Sequence, residues 1–328
     1  MATIKDVAQY TGLSIATISK YLNGGNVLEE NRKSIGEAIE ILDYKVNHAA
    51  RSLKTNKTMT VGVLLPSLAT PFFSLICADI EQSLKAHGYS MIVCSYHDDP
   101  AEELQKLQFL QTLNIDGIAL APTGVTAEEL LELKTPIVLM DRSLPGLDSV
   151  MTDNIAAVHS AVEELIIHGH RRIGIIVGPL SVTTAFERKL GYERAFADYN
   201  LAVDESLIRV GEYDIASGYR EMIALLNMDP PPTAVMASSH DITVGAIMAA
   251  YERKLKIPDD ISFVGYDEEQ ITKVFNPPVT TVLQPLGEIA QNVADLLLRR
   301  MNEDYKGHPQ LIRLKTTLLR HQSIGTIT

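Results

Sequence analysis

Residues 4–23, IKDVAQYTGLSIATISKYLN, carry the pattern of two short helices joined by a tight turn. Thr3 is placed to cap the first helix, and Asp6, three residues later, completes a near capping box. Gly12 supplies the left-handed backbone conformation that a sharp turn needs. Ser14 is placed to cap the second helix. The stretch therefore predicts a small helical head.

The second of these helices has one face suited to a protein core and one suited to DNA. Ile18 and Leu22 are spaced i, i+4 and are expected to face inward. The opposite face consists of Ile15, Ala16, Thr17, Ser19 and Lys20. Apolar and hydroxyl groups meet base edges on the floor of a major groove, where a lysine reaches further. A helical hairpin with no nucleic-acid partner is the alternative for this stretch alone.

A third helix and a polar segment follow. Apolar residues at positions 35, 38, 39 and 42 repeat at helical spacing, so a third helix can close a small core over the first two. The pattern DVA…TG.S..T.S..LN of residues 6–23, NHAARSLKTNKT at 47–58 and VGVLLP at 61–66 resemble the lactose repressor family of bacterial transcription regulators. The resemblance continues through nearly the whole chain.

This resemblance implies a role for residues 47–55. So short a segment is marginal as an isolated helix, because helix nucleation is costly. In the family it folds when two subunits meet on the operator and pack in the minor groove. Leu53 would then unstack a central base step, Ala50 would allow close approach, and Lys54 would reach a base or a phosphate. The predicted DNA-binding residues are Ser14, Ile15, Ala16, Thr17, Ser19, Lys20, Asn23, Ala50, Leu53 and Lys54. A solvent-exposed linker is the alternative for this segment.

The charge distribution separates the head from the rest of the chain. Residues 1–58 carry eight Lys/Arg and six Asp/Glu, whereas the whole chain has a net charge of −12. Phosphate attraction by one mildly basic head is modest, so dimerisation must supply much of the DNA affinity. The acidic remainder repels DNA and confines the contact to the head.

From residue 60 onward, short apolar runs alternate with amphipathic stretches. Runs without period-two alternation are typical of strands buried on both faces in parallel sheets. They cover residues 61–65, 91–94, 117–120, 137–140, 173–177, 234–237 and 263–266. We therefore predict a small all-α helix-turn-helix head with a hinge helix in residues 1–58. Residues 59–328 are predicted to form an α/β body of two doubly wound parallel-sheet lobes. By resemblance this body is periplasmic-binding-protein-like, binds an effector and dimerises.

Two lobes of this kind meet at a cleft, and ligands of open α/β sheets bind outside the carboxyl ends of the strands. Aromatic rings, a guanidinium and carboxylates follow the predicted strands. Such groups suit a sugar, because charged groups bridge hydroxyls while rings stack on the apolar face. The predicted effector-binding residues are Phe72, Phe73, Asp141, Arg188, Tyr213, His240 and Asp267. Taken singly, each has a structural alternative, such as a surface ion pair for Arg188 or a helix cap for Asp141.

The family resemblance assigns roles to some of these residues. Arg188 and Asp267 match positions that grip the effector in sugar-responsive members, and Tyr213 matches an aromatic platform. His240 departs from the Asn that is usual there, which puts the usual effector chemistry in doubt. Purine-responsive members share the ARSLK segment but have an arginine where Val182 stands, so a sugar or sugar phosphate is favoured over a purine. The action of the effector, as inducer or corepressor, and a phosphocarrier protein as corepressor are left open.

Other classes of function lack their motifs. His168 and His170 have no third metal ligand nearby, and Ser239-His240-Asp241 are adjacent, which is not how a catalytic triad is placed. There is no phosphate-binding glycine loop, so we expect no cofactor and no enzyme. The two cysteines are expected to be reduced. The lack of a signal pattern and of an apolar run of 18 residues predicts a soluble, cytoplasmic protein.

Together these patterns predict a ligand-responsive, sequence-specific DNA-binding repressor. No Leu heptads follow residue 322, where the lactose repressor has a tetramer-forming tail, so a homodimer on a palindromic operator is expected. The alternative from another class is a cytoplasmic sugar-binding or sugar-processing protein whose head serves another contact. The sequence does not specify the effector, the operator or the regulated genes.

Overall fold

A computed structural model describes residues 2–22, 25–45, 57–97, 99–267, 273–302 and 307–327. The chain divides into two compact units, Met1–Met59 and Thr60–Thr328. We call them the head and the body.

The head packs three helices around a small core. The helices are α1 (Ile4–Thr11), α2 (Ile15–Leu22) and α3 (Glu29–Ile41). Val7, Ile18, Ile35 and Ala38, which come from all three helices, are fully buried. Their spacing is the one from which the sequence predicts three helices, and the predicted helical head is confirmed.

Local capping fixes the start of α1 and the turn between α1 and α2. Thr3 Oγ1 accepts a hydrogen bond from Asp6 N, and the Asp6 carboxylate accepts one of 2.7 Å from Thr3 N, so the capping box is complete. Gly12 ends α1 with a φ of 67°, a region that favours glycine. Ser14 Oγ accepts a hydrogen bond of 3.1 Å from Thr17 N and begins α2.

Two sheets, each of six strands within the described residues, form the two lobes of the body. Numbered along the chain, the strands of lobe 1 are β1 (Thr60–Leu65), β2 (Ser90–Ser95), β3 (Gly117–Leu120), β4 (Ile137–Met140), β5 (Asp148–Thr152) and β11 (Leu311–Leu314). Those of lobe 2 are β6 (Ile173–Val177), β7 (Ile208–Val210), β8 (Ala234–Ala237), β9 (Ser262–Tyr266), β10 (Thr280–Leu283) and β12 (Thr317–Leu319). The strand orders are β11-β5-β4-β3-β1-β2 and β12-β10-β9-β8-β6-β7. Only β12, which is antiparallel to β10, departs from parallel pairing in these described sheets.

Helices cover both faces of each sheet. Those of lobe 1 are α4 (Pro71–Lys85), α5 (Pro100–Thr112), α6 (Ala127–Leu131) and α11 (Leu286–Arg300). Those of lobe 2 are α7 (Asn154–Ile167), α8 (Thr183–Asp198), α9 (Ile215–Leu226) and α10 (His240–Glu252). Val63 and Leu64, neighbours on β1, belong to the cores on opposite faces of the lobe 1 sheet. The prediction of two doubly wound lobes is therefore confirmed.

The apolar-run pattern misses β5, β7, β10, β11 and β12. Strand β5, DSVMT, buries Asp148, which forms an ion pair with Arg300 and accepts a hydrogen bond of 2.7 Å from Gln310 N. Strand β10 begins with Thr280 and Thr281, whose hydroxyls bond to the backbone of neighbouring segments. Polar residues can be buried when such partners satisfy them, and then a strand has no apolar run to detect.

Three segments of chain connect the lobes. The first crossover runs from β5 to α7, the second from β10 to α11, and the third from β11 to β12. In the first crossover, Asp153 N donates a hydrogen bond of 2.9 Å to Leu314 O at the start of the third. The carboxyl ends of strands from both lobes border one cleft beside these crossovers.

Candidate functional site

The residues of α2 that are predicted to meet DNA lie away from the core of the head. Ser14, Ile15, Ala16 and Lys20 are exposed, and Thr17 and Ser19 are half-buried. The first turn of α2 carries no acidic residue, and Lys20 is the basic residue of its last turn. Such a face fits the major groove, and its contact with bases stays a prediction. Four other predicted DNA-binding residues, Asn23, Ala50, Leu53 and Lys54, lie outside the described residues.

All seven predicted effector-binding residues line one cleft in the body. Its volume is about 90 Å³, and the structure adds Pro66, Ser67, Thr70, Arg142, Thr184, Ser239, Asp241 and Gln284 to its walls. Some come from lobe 1 and some from lobe 2, so a molecule in the cleft would contact both lobes. That these residues hold an effector stays a prediction.

Two aspartates face the cleft from equivalent places in the two sheets. Asp141 follows β4 in lobe 1, and Asp267 follows β9 in lobe 2. Both have a left-handed backbone, with φ of 65° and 64°. Each backbone N–H still donates to the neighbouring strand, at 2.9 Å to Val150 O and 2.8 Å to Val282 O. Aspartate adopts this conformation more readily than most residues, because its short side chain can hydrogen-bond locally.

Arg188 on α8 is held rigidly at the wall of the cleft. Its Nε donates to Asn154 Oδ1 at 2.9 Å, and its NH1 donates to Ser238 O at 2.5 Å. The guanidinium carbon lies 4.1 Å from the centre of the Tyr266 ring, a cation–π contact. Only 4% of Arg188 is exposed. Its position is therefore fixed before any ligand arrives, which lowers the entropy that binding must offset.

The carboxylates of the cleft are poorly solvated. Burial raises the pKa of Asp267 to about 6, while nearby Arg188 and a hydrogen bond from Gln284 act in the opposite direction. Burial also raises the pKa of Asp241. Shifted carboxyl groups that converge in a cleft are typical of functional sites.

Arg142 follows Asp141 and was not among the predicted effector-binding residues. Its NH1 donates to Pro122 O and to Thr123 Oγ1, both at 2.7 Å. Its Nε is buried without a hydrogen-bond partner among the described residues and lies 3.8 Å from Asp141 Oδ2. A buried donor of this kind is available to a ligand oxygen.

Aromatic side chains complete the walls. The rings of Phe72 and Phe73, at the start of α4, meet edge to face with centroids 5.0 Å apart. The Tyr213 hydroxyl lies 3.3 Å from Thr184 Oγ1. A Cβ at Gly178, which follows β6, would lie 2.4 Å from the Tyr213 ring. The absence of a side chain at Gly178 therefore leaves space for the Tyr213 ring. The position of Gly178 directly after a predicted strand is the sequence feature that could have identified it as a cleft residue.

His240 stands where α10 begins. Ser239 caps this helix, and His240 Nε2 lies 3.9 Å from Asp241 Oδ1. Only 7% of the residue is exposed, and it belongs to the cleft wall. The departure from the Asn usual in the family thus places an imidazole at the site. Gln284 was missed because it follows β10, a strand that has no apolar run.

A three-helix head and a cleft between two α/β lobes define a class of protein with separate nucleic-acid-binding and ligand-binding parts. The family described as "Bacterial regulatory proteins, lacI family" matches residues 3–47. The family described as "Periplasmic binding proteins and sugar binding domain of LacI family" matches residues 58–322. The chain belongs to the lacI family.

Individual relatives match over the full length. The chain is 34% identical over 334 residues to an HTH-type transcriptional repressor PurR of Histophilus somni (strain 129Pt), with 100% of both chains covered. It is 32% identical to a ribose operon repressor of Haemophilus influenzae, with 98% of both covered. Among solved structures, the Lac repressor dimer bound to operator and the anti-inducer ONPF matches with a TM-score of 0.87, 25% identity and 98% of both chains covered. The protein is therefore a ligand-responsive DNA-binding regulator, as the sequence predicted. No helix in the described ranges is long and apolar enough to cross a membrane.

Proposed function

We propose that this regulator is a repressor that binds a palindromic operator as a homodimer, and that a neutral sugar in the body's cleft is its effector. The similarity to proteins named as repressors, and to a dimer solved on its operator, supports the first half. A protein with this role acts where the DNA is, and we propose the cytoplasm. We propose no catalytic activity.

The charge pattern of the cleft carries the proposal of a neutral sugar. Carboxylates of Asp141, Asp241 and Asp267 line the cleft with the guanidiniums of Arg142 and Arg188. Each sugar hydroxyl donates one hydrogen bond and accepts others, so an array of acceptors and donors matches it. A phosphate would bring up to about two negative charges beside three carboxylates. A neutral sugar is therefore favoured over a sugar phosphate.

The size of the cleft agrees with a small sugar. A volume of about 90 Å³ is available. One water-sized sphere needs roughly 10–15 Å³, so the cleft has room for a ligand on the scale of a monosaccharide. One of the two relatives described above is named as a ribose operon repressor, which supports a sugar as the effector.

A purine is the second candidate. Phe72 and Phe73 offer aromatic faces to a planar base, and the ARSLK segment resembles that of purine-responsive members. A purine would leave more of the carboxylates without hydroxyl partners, which is unfavourable in a poorly solvated cleft. A phosphocarrier protein as an additional corepressor is kept as a further alternative.

A thermal-unfolding screen of the full chain tests the effector. The screen uses neutral monosaccharides including D-ribose, then D-ribose 5-phosphate and hypoxanthine. A ligand at a hundred times its Kd stabilises the protein by about 2.7 kcal/mol, so the melting temperature rises. Arg188→Ala should abolish this rise, and Arg220→Ala, which changes an exposed arginine on α9, should keep it. Stabilisation by hypoxanthine or by D-ribose 5-phosphate, with none by the neutral monosaccharides, would show that the neutral-sugar proposal is wrong.

A gel-shift assay on a selected palindrome tests DNA recognition. Lys20→Ala should lower the ratio of specific to non-specific affinity, because Lys20 is predicted to reach base edges. Lys33→Ala, which removes an exposed positive charge from α3, should leave that ratio unchanged. Leu53→Ala should weaken specific binding while the body stays folded, and Arg188→Ala should bind the operator as the wild type does. Equal binding to the palindrome and to random duplex at matched salt would contradict the proposal.

A further inference from the structure

The first and second crossovers between the lobes are joined by side chains. Thr152 Oγ1, at the end of β5, donates to Gln284 Oε1 at 2.8 Å. Gln284 Nε2 in turn donates to Asp267 Oδ1 at 2.7 Å. This amide orientation is the one that gives both a hydroxyl donor and a carboxylate acceptor a partner. One wall of the cleft is therefore bonded directly to two of the segments that connect the lobes.

Asn154 lies at the centre of a second set of contacts. It begins α7, directly after the first crossover, and it is fully buried. Its Nδ2 donates to Thr152 O at 3.3 Å and to Glu187 Oε2 at 3.1 Å. Its Oδ1 accepts from Arg188 Nε at 2.9 Å. Both ends of the amide are thus used, and one of them fixes the guanidinium that lines the cleft.

An ion pair continues this network from lobe 2 into lobe 1. Arg313 NH2 donates to Glu187 Oε1 at 2.8 Å. Glu187 lies on α8 in lobe 2, whereas Arg313 lies on β11 in lobe 1, one residue before the third crossover begins. Rotation of one lobe against the other changes the distance between these two side chains, so the pair is sensitive to the angle between the lobes.

We propose that Asn154 is a positioning residue that joins Arg188 in the cleft to the interlobe crossovers. Through Thr152 and Gln284 it reaches the first and second crossovers, and through Glu187 it reaches the arginine that leads into the third. A ligand that engages Arg188 or Asp267 therefore acts on the resistance of the lobes to rotation. The inference deepens the proposed function, since it takes the cleft as the effector site.

Hydrogen bonds are better suited than apolar contacts to transmit ligand binding in the cleft to the interlobe crossovers. In surroundings of low dielectric they are strong, directional and mutually reinforcing. Rotation of the lobes makes or breaks these hydrogen bonds in discrete steps. A connected set of such bonds therefore transmits a change at one end to the other.

Exchange of the amide and the carboxylate provides the test. Asn154→Asp keeps an acceptor for Arg188 but sets two carboxylates against each other, and neighbouring carboxylates cannot both ionise freely. The double variant Asn154→Asp/Glu187→Gln interchanges the two groups, restores a donor opposite an acceptor and keeps the charge of the pair. Arg313 then has an amide oxygen as its acceptor. Neither variant can donate from position 154 to Thr152 O. The double variant is therefore the matched control for the contact between positions 154 and 187 alone.

The measurement is hydrogen–deuterium exchange by mass spectrometry on the full chain at pH 7.5, without effector or DNA. Peptides that cover residues 150–156, 282–287 and 312–317 report on the three crossovers, and the Asp153 amide is a direct probe because it bonds to Leu314 O. Asn154→Asp should speed exchange in these peptides by about tenfold or more, the effect of losing a hydrogen bond to a charged group. Exchange in β1 should stay unchanged. The double variant should return the 312–317 peptide to within about threefold of wild type, whereas the 150–156 and 282–287 peptides should stay faster, because the carboxylate at position 154 cannot donate to Thr152 O.

Three results would overturn the proposal. Equally faster exchange in β1 would show that Asn154 supports only global stability. Unchanged exchange at the crossovers would show that they do not depend on Asn154. Failure of the 312–317 peptide to recover in the double variant would show that Glu187 is not the partner of Asn154. None of these results depends on which molecule binds the cleft, so a negative sugar screen and a negative exchange result are distinguishable.

Discussion

Replacing Asp267 by Asn removes a negative charge whose burial destabilises the folded protein. Burial raises the pKa of Asp267 from 3.8 to about 6, even though Arg188 and Gln284 stabilise its ionised form. The folded protein therefore binds this proton more tightly than the unfolded chain does. The contribution of Asp267 to stability is full below pH 3.8 and is lost as the pH rises to about 6.

The size of the effect follows from the two pKa values. They differ by about two pH units, and each unit is worth about 1.4 kcal/mol, so ionisation costs about 3 kcal/mol. Asn is neutral at every pH, has nearly the same shape, and its Oδ1 can still accept the hydrogen bond from Gln284. Asp267→Asn should therefore raise the free energy of unfolding by about 3 kcal/mol at pH 7.5 and by roughly 1 kcal/mol at pH 4.5.

Urea titrations followed by circular dichroism at the two pH values measure this difference. The difference between variant and wild type is the relevant quantity, because other groups titrate in both proteins. Asp259→Asn, at an exposed position, is the control and should change stability by less than about 0.5 kcal/mol at either pH. A variant less stable than wild type at pH 7.5, or a difference independent of pH, would refute the description of Asp267 as a poorly solvated carboxylate.

Three further changes probe other parts of the molecule. Gly178→Ala should displace the Tyr213 ring and weaken effector binding by about tenfold or more, measured by calorimetry, while operator affinity stays unchanged. Glu103→Ala should destabilise the body by about 1–3 kcal/mol in urea, because it removes the acceptor of the backbone N–H groups of residues 123–125. Val7→Ala should destabilise the head by about 2 kcal/mol, so that scanning calorimetry shows a lower melting temperature for the head and an unchanged one for the body. A shared shift of both melting temperatures would contradict two separate cores.

The sequence predicts the strands that consist of apolar residues. Residues 61–65 and Ile173–Val177 are buried on both faces, and short apolar runs of this length bounded by turn residues are typical of a parallel sheet covered by helices. Strands β5 and β10 carry buried Asp and Thr, and their membership of a sheet depends on partners far away in the chain. A local sequence pattern does not show which distant residues pair with these strands, so the strands could not be predicted from it.

The same limit applies to the cleft. The rule that ligands lie beyond the carboxyl ends of strands brings Asp141, Arg188 and Asp267 together, because the runs before them are recognisable. Asn154 and Gln284 follow strands that are not recognisable. Gln284 meets Thr152 across 132 residues, and Arg313 meets Glu187 across 126. Contacts over such separations in sequence form only when both sheets have folded.

Replacing a buried ion pair by well-packed apolar residues is often neutral or stabilising, so buried charged groups are weak evidence of a role in stability. The cores of both lobes show that this chain readily fills its interior with Val, Ile and Leu. In the proposed network, Thr152, Asn154 and Gln284 couple the cleft to the crossovers. A joint built from hydrogen bonds has distinct made and broken states, and a ligand shifts the balance only if it interacts differently with the two. Under the proposed function, a sugar hydroxyl that donates to the Asp267 carboxylate provides that difference, because it offsets a charge that burial leaves poorly solvated.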